Sequence, residues 1–150
     1  MKTVLMTIGL ALSYTASAQW VNMNVDNGID PTYNIAYTKD YITHWLKLEN
    51  YNKNISFYMY GFFVCDDVVD VEISFLVDGV YQKYEVLECN VTEDHNTVFL
   101  VKNLKTSNML SSFKSASSVK VRVNDKTCGA GTYEFKMTGG LSAFDFVVKQ

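Results

Sequence analysis

Proline occurs once in the 150 residues, at Pro31, arginine once, at Arg122, and histidine twice, at His44 and His95. With so little arginine and no basic run, a nucleic-acid surface is not expected, because such surfaces cluster Lys and Arg to displace counterions. A polybasic tether to an anionic membrane is excluded on the same ground. Beyond the N-terminus no apolar run approaches the about 20 residues of a spanning helix, so no membrane span is expected. Cys-x-x-Cys, His-Glu-x-x-His, Gly-x-Ser-x-Gly and phosphate-cradling glycine loops are all missing. Their absence leaves no thiol-redox, zinc-hydrolase, serine-hydrolase or nucleotide signature, and no metal or cofactor is expected.

What is present begins with MKTVLMTIGLALSYTASA. Lys2 gives a positive start, Thr3 to Leu12 an apolar stretch too short to span, and Ala16-Ser17-Ala18 a small-residue cleavage site. These are the three parts of a secretory signal, so residues 1–18 are expected to be removed before Gln19. Of 150 residues, 132 then remain, one domain's length and enough for a core without a metal. Loss of Lys2 takes the formal charge from −3 to −4.

The mature part, 19–150, reads as short strands. QWVNMNVD alternates from Trp20, while 26–40 carries the proline and turn signals and is expected to be a loop or irregular edge. In YITHWLKLEN, Ile42, His44, Leu46 and Leu48 oppose Tyr41, Thr43, Trp45 and Lys47 with period two. ISFYMYGFFV is apolar or aromatic on both parities and is expected to be central and covered on both faces. Val69, Val71, Ile73, Phe75 and Val77 alternate with polar residues up to Asp78-Gly79, and Val80 to Leu87 returns. Asp-Gly between alternating runs marks a two-residue hairpin turn. NTVFLV is another strand. In TSNMLSSFKSA the spacing of Met109, Leu110, Phe113 and Ala116 predicts a short helix capped by Thr106 or Ser107. Val119, Val121 and Val123 resume period two, answered by Tyr133, Phe135 and Met137 across CGAG. GGLSAFDFVVKQ suits either a last strand or a helix. The expected fold is all-β: one antiparallel β-sandwich or half-open barrel with one or two short helices.

Three cysteines on an oxidising route allow one disulfide and one leftover thiol. Cys65 and Cys89 lie near the open end of the hairpin, so a Cys65–Cys89 bond is expected, leaving Cys128; Cys128 paired with either of the others is the alternative. Neither histidine is tied to Cys128, so a loop cysteine is expected there and not a reactive one. His44 is read as packed and His95, in TEDHN, as a loop residue. Asp26-Asn27-Gly28-Ile29-Asp30 lacks the twelve-residue calcium pattern and reads as a turn. Asp66, Asp67 and Asp70 are the only carboxylate group worth weighing for acid–base work, and they read first as solvated turn residues. Tyr33, Tyr37, Tyr41, Trp45 and Tyr51 are a candidate aromatic contact surface, since Tyr and Trp join apolar area to a polar tip. Tyr58 and Tyr60 fall on the strand expected to be covered.

FKSASSVKVRV followed by TYEFKMTGGLSAFDFV, with the hairpin VEISFLVDGVYQKYEV before them, resembles small secreted β-sandwich domains of two kinds, the invasion-associated locus B type and type VI secretion-associated accessory lipoproteins. The resemblance covers about the last 80 residues. It rests on packing patterns and implies a fold and an envelope setting, with no active-site residue to carry over. No cysteine follows the apolar stretch of the signal, so the lipid anchor of the lipoproteins is not expected here. The chain is therefore expected to be a bacterial or phage-encoded exported protein, periplasmic or extracellular. It is expected to bind a protein or surface component and not to act as an enzyme, with self-association as a structural subunit of an extracellular or virion assembly as the alternative.

Overall fold

A computed structural model of the chain describes residues 20–26, 28, 31–38, 44–61 and 63–149. The expected signal segment 1–18 and Tyr41 lie outside the described residues. The chain forms two open antiparallel sheets and two short helices. β1 (Trp20–Val25), β2 (Tyr33–Thr38), β3 (Trp45–Tyr51), β4 (Asn54–Tyr60) and β7 (Thr97–Val101) make a five-stranded sheet in the order β1-β2-β3-β4-β7. β5 (Val68–Val77), β6 (Val80–Asn90), β8 (Ser118–Asp125) and β9 (Gly129–Lys136) make a four-stranded sheet in the order β6-β5-β8-β9.

Local chemistry fixes the tight turns. Asp78 and Gly79 both hold positive φ, as do Asn52 and Lys53 between β3 and β4. Two consecutive left-handed residues give the turn whose twist matches paired strands. In β3 and β4, Leu46, Leu48, Ile55, Phe57 and Met59 point to the core and are at most 1% exposed. β4 is an interior strand, flanked by β3 and β7, but only that one face is buried. Ser56, Tyr58 and Tyr60 are half-exposed, which corrects the expectation of cover on both sides.

The stretch expected to be a loop contains β2, whose pattern hid it. Its core-facing residues are the small or polar Asn34, Ala36 and Thr38, and its outward ones are Tyr33, Ile35 and Tyr37. This inversion is explained by the C-terminal helix α2 (Gly140–Val148), which lies against β1, β2 and β3. Small side chains admit the helix, and its end carbonyls need donors. Asn34 Nδ2 donates to Phe146 O at 3.1 Å, and Asn50 Nδ2 to Val147 O at 2.9 Å. The tail is thus a helix burying Gly140, Ala143, Phe144 and Val147.

Between β7 and β8 a single 3-10 turn, Leu104–Thr106, leads into α1 (Leu110–Ser115). Ser107 Oγ accepts from Met109 N at 3.1 Å. Met109, Phe113 and Ala116 are buried, so the expected helical face is the one that packs. Phe113 is the hub of the core: its ring meets those of Trp20, Phe57, Phe75 and Phe144 at 5.3–6.3 Å. Phe57 comes from the five-stranded sheet, Phe75 from the four-stranded sheet and Phe144 from α2, so one side chain joins three layers. Burying a phenylalanine is worth about 1.5–3 kcal/mol before edge-to-face contacts are counted.

Candidate binding face

The two sheets present different chemistry away from the core. On the four-stranded sheet the outward positions include Glu72, Lys83, Glu85, Lys120, Arg122, Glu134 and Lys136, a charged and solvated surface. On the five-stranded sheet they are mainly aromatic and aliphatic, with Lys47, Glu49 and Ser56 among them. Register places Tyr37, Lys47, Tyr58 and Phe99 in one row across β2, β3, β4 and β7, with Trp45 facing Tyr60 in the next. Val21, Met23 and Ile35 extend the surface over β1 and β2.

These side chains pack on one another. Trp45 and Tyr60 stack with ring centroids 5.8 Å apart, and Tyr58 meets Phe99 edge-on at 4.7 Å. Lys47 Nζ lies 4.8 Å from the Tyr58 ring centre and 5.3 Å from that of Tyr60, where the ring quadrupoles attract it. It also pairs with Glu49 at 2.7 Å. Burial alone lowers the Lys47 pKa, but Glu49 and the Tyr60 hydroxyl outweigh it and the net direction is upward, so the ammonium is retained. Burial likewise raises the Tyr58 pKa, which keeps its phenol neutral. The strip is therefore electroneutral, with its ion pair held inside a ring framework. Cross-strand pairs of this kind are worth about 0.2–1 kcal/mol each.

Of the sequence-derived contact residues, Tyr33, Tyr37, Trp45 and Tyr51 all project from this side of the sheet. Tyr33 and Tyr51 meet edge-on at 5.9 Å beside a shallow hollow of about 280 Å³ near Pro31 and Asn52. Tyr58, Tyr60 and Phe99 join them, although the first two were expected inside. Parity carried the missing signal: Ile55, Phe57 and Met59 have no polar atom able to donate, whereas Ser56, Tyr58 and Tyr60 end in hydroxyls suited to a wet face.

The disulfide joins Cys65 to Cys128, with Cα atoms 5.7 Å apart, and the leftover thiol is the buried Cys89. The expected Cys65–Cys89 bond and free Cys128 are thereby corrected. A bulge at Glu88, which has positive φ and donates its N–H to Asp70 Oδ1, shifts the hairpin register. Cys89 consequently faces Val69 and turns inward. On the other flank of β5, Asp70 pairs with Asn124; continuing both strands outward brings residue 65 opposite residue 129. Asp125 completes the junction. Its Oδ2 accepts from Cys65 N at 2.6 Å and Asp66 N at 3.4 Å, and its Oδ1 from Thr127 N and Cys128 N, both at 2.8 Å. Burial pushes the Asp125 pKa up, but the four N–H donors prevail and set it at about 2. Burial, reinforced by Asp70, pushes the Cys89 thiol up to about 12, far from reactive.

Cys65, Asp125 and Cys128 are the one grouping of three metal-type ligands found among the described residues. The sulfurs are bonded to each other and both carboxylate oxygens hold backbone donors, so the set has no spare ligand atom. Asp66 accepts from Lys126 N and Thr127 Oγ1, Asp70 from Glu88 N, and Asp67 is 91% exposed near His95. Asp66 thus holds the loop after β8 and Asp70 the bulge at Glu88, while Asp67 lies in solvent beside His95. His44 packs its ring 4.9 Å from that of Tyr133. In the 26–30 segment, Asp26 Oδ1 accepts from Gly28 N at 2.9 Å, an Asx-type turn; Asn27, Ile29 and Asp30 lie outside the described residues. Among the described residues no helix is long and apolar enough to cross a membrane. Comparison with protein-family models, with curated proteins and with solved structures returned no match.

Proposed function

We propose that the chain is an exported accessory protein of the cell envelope or exterior that acts by binding, with residues 1–18 removed and 19–150 forming a β-sandwich. The reading rests on one observation. An electroneutral strip of Trp45, Tyr60, Tyr58 and Phe99, with Tyr37 beside it, covers the outward side of one sheet while the outward side of the other is charged. Contiguous apolar surface of this sort on a folded domain marks contact sites, and Tyr and Trp carry much of the energy in them. A neutral partner surface, protein or glycan, fits it. The resemblance of the C-terminal region to envelope-associated domains agrees with this setting.

The test is capture from an envelope extract with the mature protein as bait. Trp45→Ser with Tyr60→Ser is expected to abolish recovery of the partner, while Lys136→Ser on the other sheet leaves it unchanged. Equal recovery with all three proteins, or none above an empty-resin control, defeats the proposal. A second reading, a structural subunit of an extracellular or virion assembly, is favoured by the edge strand β1: its exposed residues, Asn22, Met23 and Asn24, include no charge or proline to discourage strand addition. A concentration series by sedimentation decides it, because a subunit self-associates and an accessory binder stays monomeric.

A further inference from the structure

The outward side of the four-stranded sheet holds a second feature, independent of the aromatic strip. Ser74 lies at mid-strand in β5, with Lys83 opposite it on β6 and Lys120 opposite it on β8. Arg122, one pleat further along β8, faces Thr132 on β9. With Tyr81 and Glu72 these residues enclose a half-open hollow of about 280 Å³. The hollow is thus lined by three cations and one anion, in a chain whose overall charge is −3. Glu72 is 3.8 Å from Lys83, at the limit of an ion pair, and Glu134, 3.7 Å from Lys120, is not part of the lining. Arg122 Nε donates to Asn124 Oδ1 at 3.2 Å, which orients the guanidinium; among the described residues it has no carboxylate partner.

Ser74 is only 6% exposed and lines the hollow between Lys83 and Lys120. We propose that this hollow binds a phosphate monoester group, carried either on a small sugar phosphate or on a lipid headgroup. A phosphate monoester bears about −1.5 to −2 charges at pH 7 and three acceptor oxygens, which matches a net lining charge of two, a guanidinium fork, two ammonium groups and the hydroxyls of Ser74, Tyr81 and Thr132. The volume falls just under the ~300–1,000 Å³ of sites that enclose a whole small molecule, so the anionic head enters and the remainder lies over the rim.

The experiment is an amide-resolved NMR titration of the full mature protein with inorganic phosphate, against chloride at the same ionic strength. Saturable shifts centred on Ser74, Lys83, Lys120, Arg122 and Thr132 are expected. Arg122→Gln and Ser74→Ala should each weaken binding by about 10-fold or more, the range for charge-assisted bonds. Lys83→Gln, at a side chain 67% exposed and so harmless to folding, should also weaken it, while Lys102→Gln outside the hollow should not. Titration with glucose 6-phosphate and sedimentation with phosphatidic acid vesicles against phosphatidylcholine vesicles separate the two sources. Tighter binding than inorganic phosphate in either arm supports the proposal and names the carrier. Shifts that never saturate, that spread over all lysines, or that persist unchanged in Arg122→Gln and Lys83→Gln overturn it.

Discussion

Replacing Asp125 with asparagine tests whether one carboxylate joins the two loops that carry the disulfide. The native group accepts four backbone N–H bonds. Asparagine keeps the shape but offers one acceptor oxygen and turns an NH₂ towards donors. Two of the four N–H groups then lose their partner, and at about 1–3 kcal/mol for each unsatisfied donor the expected loss is about 2–6 kcal/mol at pH 7. The pH dependence gives an independent check. The Asp125 pKa is depressed from 3.8 to about 2. A depressed folded-state pKa means stability that is present above the unfolded value and lost as pH falls through the folded one, here between about pH 4 and pH 2. At 1.36 kcal/mol per unit the shift corresponds to about 2.5 kcal/mol, and screening near this surface junction leaves about 1–2. Urea unfolding of both oxidised proteins should be measured from pH 7 to pH 2. The gap between wild type and Asp125→Asn should narrow by that amount across the window. A gap that stays constant with pH, or a variant as stable as wild type at pH 7, refutes the assignment.

Peptide mapping without reduction should recover Cys65 cross-linked to Cys128, and Cys89 should resist alkylation at pH 8 until the protein is unfolded. Removing that crosslink by Cys65→Ser with Cys128→Ser should cost at most about 4 kcal/mol by the loop-entropy relation for a sequence separation of 63, read as a shift in urea midpoint. Phe113→Ala should cost about 3–5 kcal/mol by calorimetry, because it empties the point where both sheets and α2 meet; a loss under 1 kcal/mol would show that the core does not converge there. Asn50→Ala should leave the buried Val147 carbonyl unsatisfied and cost about 1–3 kcal/mol, with hydrogen exchange rising first in α2.

The contrast between strands shows where sequence reasoning stops. β5, β8 and β9 alternate apolar with charged residues, so their faces are legible one strand at a time. β2 reads backwards, with small residues inward, because its neighbour is a helix that arrives more than 100 positions later in the chain. β4 carries aromatics on both parities, and only pairing with β3 and β7 shows that Tyr58 and Tyr60 join Lys47 and Phe99 on an outward face. The candidate contact residues Tyr33, Tyr37, Trp45 and Tyr51 are visible in the sequence as a composition, but not as a surface.

The sequence by itself determined the all-β character, the Asp78-Gly79 hairpin, the short helix around Phe113 and the presence of one crosslink with one spare thiol, because period-two alternation, turn stereochemistry and helical spacing are local properties. Tertiary structure decided which cysteine is spare. The hairpin register that suggested Cys65–Cys89 is local, but a one-residue bulge at Glu88 displaces it, and the pairing of β5 with β8, across about 50 residues of intervening chain, brings Cys65 to Cys128. Strand alternation says which residues share a face; only non-local hydrogen bonding says which strands lie side by side.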